Sequence, residues 1–226
     1  MKRIGLTLLV LALVAPGAAR AGLVLGLGSG VTKTAGSIAE GDEMKDIASW
    51  MAPVQLEAGW KFAERLTVVG FFNMNIGKVS GRFETSCDSS GSDCVANLSR
   101  AGAQARWNFL PARRLDPWVG AGYAWEVLGM ESTLASGGGS TTNLQGGALD
   151  LVAGVDYWVL QRLSVSPYLG LSIGSYKEAK DVSNFEDWKA IPDSERKTHT
   201  QVTAGVRLAW DFGGTARETQ APVPSP

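Results

Sequence analysis

The chain has 226 residues, with 21 Lys and Arg against 22 Asp and Glu, for a formal net charge of −1. That balance lacks the basic excess of a nucleic-acid binder. An apolar content of 45% is far from the make-up of a disordered chain, and the length suits one all-β domain or two small ones.

Residues 1–21 read as a secretory leader. Lys2 and Arg3 open it, and Leu6 to Val14 is an apolar run too short to cross a bilayer as a helix. Ala19-Arg20-Ala21 then has the small-x-small pattern of a cleavage site. Cleavage before Gly22 removes Lys2, Arg3 and Arg20 and takes the formal charge from −1 to −4. No later stretch approaches the ~18 consecutive apolar residues of a membrane helix, so a membrane-embedded chain would cross with strands.

From Gly22 onward the patterning has period two rather than 3.6. It predicts strands at about 22–31, 50–62, 66–77, 98–109, 117–128, 147–159, 163–175 and 199–212. In the second, Val54, Leu56, Ala58, Trp60 and Phe62 share one face, and Gln55, Glu57, Gly59 and Lys61 share the other. Three connections are short (63–65, 110–116, 160–162). Four are long and polar (32–49, 78–97, 129–146, 176–198). Within the long ones, Ser37–Ala48 and Asn184–Arg196 have the composition of short loop helices. Pro53, Pro117 and Pro167 fall near strand starts, where a missing donor is tolerated. Residues 213–226 are Pro-rich, have little apolar surface and read as a disordered tail.

One unit recurs about every 50 residues: an aromatic pair two residues apart, then a short turn ending Arg-Leu. The pairs are Trp60/Phe62, Trp107/Phe109, Tyr157 with Val159, and Trp210/Phe212; the turns end at Arg65-Leu66, Arg114-Leu115 and Arg162-Leu163. Aromatics at one level of a closed sheet match a membrane interface, here the periplasmic one, with the short turns inside and the long loops outside. The turn arginines fit either anionic lipid head groups or a solvated turn.

The polar face carries Glu57, Lys61, Arg100, Arg106, Glu126, Asp150, Asp156, Arg207 and Asp211, interleaved with glycines such as Gly59, Gly102, Gly120, Gly122, Gly154 and Gly205. Glycine weakens a solvent-facing strand, but inside a narrow barrel it makes room for large neighbours. Nearly balanced charge suits a lumen, where ions must pair. The pattern therefore places the polar face inside and the apolar face against lipid, the reverse of a soluble lipocalin-like carrier. Pairs such as Glu57 with Arg100 or Arg207 with Asp156 would then plug the core, or act as a gate if partners switch.

Cys87 and Cys94 lie in one polar stretch, and in an exported protein a local disulfide between them is the default. Two cysteines without a nearby histidine make a poor zinc set. Gly26-Leu27-Gly28-Ser29-Gly30 has the look of a dinucleotide loop, but no helix follows it. His199, the single histidine, falls at the start of the last strand as a loop-edge residue without a serine close by. The sequence calls for no cofactor, metal or catalytic set.

Taken together, these segments resemble the small eight-stranded outer-membrane β-barrels of Gram-negative bacteria, the OmpA/OmpX/opacity type. The resemblance spans 22–212. It is carried by the aromatic-turn units, the segment Pro117-Trp118-Val119-Gly120-Ala121-Gly122-Tyr123 and the closing strand Thr203–Phe212, which is similar to the signal read by the barrel-assembly machinery. It implies an all-β, eight-stranded antiparallel transmembrane up-and-down β-barrel, with a leader at 1–21 and a periplasmic tail at 213–226. Such a protein would be a non-enzymatic monomer held by outer-membrane lipids, with long loops for surface interaction, adhesion or envelope integrity. A narrow solute channel is the alternative, and a lipid A-modifying enzyme a more distant one. The tail departs from the resemblance, since such barrels commonly end on the terminal aromatic. The unboiled protein should run at a different apparent mass from the boiled protein on a denaturing gel, and identical mobilities would count against a membrane barrel.

Overall fold

Backbone amides and carbonyls in hydrocarbon find no water, so strands that cross a bilayer must close on themselves. The computed structural model meets that demand as an eight-stranded antiparallel transmembrane up-and-down β-barrel. The structure describes residues 22–39, 42–62, 64–90, 92–111, 113–134, 139–181 and 187–213. The leader and, apart from Gly213, the tail lie outside the described residues.

In chain order the elements are β1 (Gly22–Ala39), β2 (Asp42–Glu43), α1 (Met44–Ile47), β3 (Trp50–Phe62), β4 (Leu66–Lys78), α2 (Gly81–Ser90), β5 (Ser92–Asn108), β6 (Leu115–Leu134), β7 (Gly139–Trp158), β8 (Leu163–Asp181), β9 (Lys189–Ala190) and β10 (Thr198–Asp211). The barrel runs β1, β3 to β8 and β10, and β10 closes the ring by pairing with both β8 and β1. The registers reach from Val24↔Asp211 to Gly36↔His199 on one side and from Thr198↔Ser175 to Trp210↔Leu163 on the other.

The faces divide by chemistry. Val54, Leu56, Val68, Phe72, Val119, Val206 and Leu208 are exposed on the outside, while Glu57, Asn73, Arg100, Glu126 and Arg207 are buried inside. This arrangement rules out the lipocalin-like reading, which needs the apolar face within. Trp60, Trp107, Phe109, Tyr157, Trp210 and Phe212 are exposed near the short turns, and Phe62 is half-buried there.

The repeated turns have a shared backbone role. The carbonyls of Arg65, Arg114 and Arg162 accept hydrogen bonds from the amides of Asn108 (2.7 Å), Trp158 (3.0 Å) and Asp211 (2.8 Å). Each arginine thus carries the ladder one residue past its strand, onto the next hairpin. In the first turn Glu64 takes a positive φ of 62°.

The loop end departs from expectation. Residues 32–39, 92–97, 129–134, 139–146 and 176–181 are strand, although the sequence reads them as loop. Beyond the apolar wall the outward positions no longer have to be apolar, so the ladder continues without the strict alternation that betrays a strand. A four-residue helix, α1, does form within 37–48. Between 187 and 196 the structure has only the short β9 and turns, so the second expected helix is absent from the described residues. The ten-residue α2 was not foreseen; it carries Cys87, which is bonded to Cys94 on β5.

That bond ties α2 to the loop-end extension of β5. A Cys87→Ser/Cys94→Ser variant should keep its heat-dependent gel shift while trypsin cleaves after Arg82 faster than in the parent chain. Loss of the shift would mean that the bridge supports the barrel itself.

Candidate functional site in the lumen

An interior of eight strands is just wide enough for side chains, so the inward residues meet across it. They stack in levels from the turn end to the loop end. At the turn end, Lys61 lies 3.6 Å from Asp211 and 5.5 Å above the Trp158 ring. Asp116 is buried there, where it accepts hydrogen bonds from Asn108 Nδ2 and from the Leu110 amide, both at 2.9 Å.

The middle level is built on Trp118. The guanidinium groups of Arg106 and Arg207 each lie 4.9 Å from the centre of its ring. A Cβ at Gly154 would fall 2.6 Å from the indole, so the glycine makes the room that the ring occupies. Arg106 donates to both oxygens of Glu57, at 2.7 and 2.5 Å, and its Nε donates to Gln104. Arg207 is shared: Nη1 reaches Glu57 at 3.3 Å and Nη2 reaches Asp156 at 2.7 Å. Asp156 also accepts from Trp118 Nε1 at 3.0 Å and from the Ser166 hydroxyl. Two cations, two carboxylates and an indole thus form one connected block, in which each charge has an opposite neighbour.

Nearer the loop end, Arg100 donates to Asp150 at 2.6 Å and to Ser172 at 2.7 Å, and its Nε lies 3.5 Å from Glu126. Glu126 is 2.5 Å from His199 Nε2, and the imidazole stacks on Tyr176 with 4.5 Å between ring centres. Above this level the lumen turns apolar. Met44, Ile47 and Ala48 from the first loop are fully buried in one cluster with Met51, Ala96, Leu98, Leu128 and Tyr176. The short α1 therefore folds back as a cap in the barrel mouth.

All nine polar-face charges predicted from sequence lie buried in the lumen. Arg207 meets Asp156, but Glu57 does not meet Arg100. The tilt of the strands brings Arg106, nearer the turn on the same strand, to Glu57, while Arg100 sits in register with Glu126. His199 does fall at the start of the last strand, one residue into β10, but it is completely buried, because the neighbouring strands β1 and β8 continue past it. Sequence reasoning also passed over Asp116 and the role of Trp118, although a tryptophan among glycines on a polar face was a usable signal. The apolar cap gave no such signal.

Among the described residues, the lumen holds cavities of about 40 and 20 Å³. Arg106, Trp118 and Arg207 border both and separate them. The larger has room for about three waters. Among the described residues, no three His, Cys, Asp or Glu side chains are grouped to hold a metal.

No protein-family model matches the sequence, and no curated protein matches it. Solved structures do. A major outer membrane protein from Thermus thermophilus superposes with a TM-score of 0.59 at 11% identity, over 85% of this chain and 99% of that one. Neisserial surface protein A superposes with a TM-score of 0.50 at 16% identity, over 82% of this chain and 96% of that one. The chain has the fold of the small outer-membrane β-barrels. At these identities the likeness shows the architecture alone, so the lumen of this outer-membrane barrel must be read from its own residues.

Replacing Glu57 by Ala would leave Arg106 without its carboxylate and Arg207 with one instead of two. Breaking a buried pair in this way costs about 3–5 kcal/mol. Urea titration of the micelle-held barrel, followed by tryptophan fluorescence, should show a loss of that order. A loss below about 1 kcal/mol would be that of a solvated surface pair.

Proposed function

We propose that this protein is a non-enzymatic outer-membrane barrel whose lumen is shut, so that its work is done by the surface at the loop end. One observation carries the reading. The Arg106–Trp118–Arg207 stack, locked by Glu57 and Asp156, divides the lumen. The apolar cap above it adds a second closure. Opening a water path would require separating two guanidinium groups from an indole and from two carboxylates in a low-dielectric space, where unpaired charges are costly.

The loop end is well suited to presentation. β5, β6 and β7 extend together, with Ser92 still paired to Leu134 and Thr133 to Gly139. The disulfide holds α2 beside them. Rigid scaffolds that carry variable loops are a general way of building recognition surfaces. In this reading the leader is cleaved on export to the outer membrane of a Gram-negative bacterium, and the turns and the Pro-rich tail face the periplasm. The closing strand Thr203–Phe212 engages the barrel-assembly machinery, and the protein works as a monomer.

A gated narrow channel is the second reading, favoured by the position of Arg207. It bridges Glu57 and Asp156 at unequal distances, so a small shift would trade one partner for the other.

Planar-bilayer recording separates the two. The shut barrel should give no steady unit conductance, and Trp118→Ala combined with Ile47→Asp should give a measurable one. Steady events from the unmodified protein, altered by Arg100→Ala, would favour the channel.

A further inference from the structure

The turn end holds an arrangement that neither closure of the barrel nor display of the loops requires. The guanidinium of Arg114 lies 4.8 Å from the centre of the Tyr157 ring. Tyr157 is exposed on the outer wall, so the cation lies over an outward-facing ring. Arg113, next in the chain, is also exposed. Leu115 is in register with Tyr157 on the adjoining strand, and Leu110, Leu115, Val159 and Leu160 of these turns are all exposed. The acids nearest in sequence, Asp116 and Asp156, point the other way and are buried in the lumen. The turn end here therefore presents two exposed cations, one of them over an outward-facing ring, beside exposed apolar residues, while Asp116 and Asp156 stay in the lumen.

We infer that this patch is a binding site for an anionic phospholipid, whose phosphate is taken by Arg114 and Arg113 while its acyl chains run along the apolar wall. Guanidinium matches phosphate geometry with paired donors. An aromatic at head-group depth, amphipathic by nature, is suited to frame the contact. Arg65 and Arg162 occupy equivalent places in the other two turns, since all three arginines spend the same backbone carbonyl on the next hairpin. The copy at Arg114 has in addition an adjacent arginine and a ring under its guanidinium, so it is the one on which the site is built. The site needs only the transmembrane barrel and is independent of whether the lumen conducts.

The test is lipid retention by native mass spectrometry. The folded protein is released from micelles doped with equal amounts of phosphatidylglycerol and phosphatidylcholine. The unmodified chain should retain phosphatidylglycerol in preference, and each arginine removed should lower that preference about fivefold. Arg113→Gln/Arg114→Gln should abolish most of it, while Lys33→Gln should leave it unchanged. Lys33 provides the control because it forms the comparable cation–ring contact, with Trp50, at the opposite end. Heat-dependent gel mobility shows that each variant is folded; should the double variant fail to fold, Arg114→Gln alone carries the test. Equal retention of the two lipids by the unmodified protein would overturn the assignment. So would a preference that survives the arginine changes, one lost in Lys33→Gln, or one displaced by excess inorganic phosphate.

Discussion

Closure of the sheet is the constraint from which the rest of this protein follows. Eight strands satisfy every ladder in the bilayer only by forming a ring, and a ring of eight is too narrow to hold a water column beside its side chains. Whatever polar groups point inward must satisfy one another. The lumen does this with Glu57 and Asp156 shared among Arg106, Arg207 and Trp118, and with Arg100 set between Asp150 and Glu126. Glycine makes the packing possible where a bulky ring crosses the lumen, as Gly154 does under Trp118.

The two ends of the barrel solve different problems. At the turn end the chain must reverse quickly and seal the base, and it uses the same device three times: an arginine whose carbonyl bonds the next hairpin. The aromatic residues beside these turns then stand at the edge of the apolar wall. At the loop end the strands outrun the membrane, and the mouth is closed not by charge but by Met44, Ile47 and Ala48 folded inward. Polar closure in the middle and apolar closure at the mouth leave little continuous space along the lumen.

Much of the fold was legible because period-two alternation is strict wherever lipid faces one side of a strand. Val54 to Phe62 and Val202 to Phe212 show it residue by residue. The same rule put the nine lumen charges on the correct face. It failed at 92–97, 139–146 and 176–181, which are strand without strict alternation because their outward positions lie beyond the apolar wall. It also missed the burial of His199, whose inward parity was readable but whose depth depends on how far β1 and β8 continue beyond it.

The sequence by itself determined the strand count, the sidedness of each strand and the level of the aromatic belt, since each follows from local alternation and turn chemistry. It also determined that Cys87 and Cys94 had only each other to bond. Tertiary structure alone decided which charges meet. Partners across a lumen are set by strand tilt and register, and these bring Glu57 to Arg106 and Arg207 rather than to Arg100. It alone decided that a four-residue helix from the first loop would cap the mouth. A buried position for Met44 or Ile47 depends on a cavity that exists only once the ring has closed.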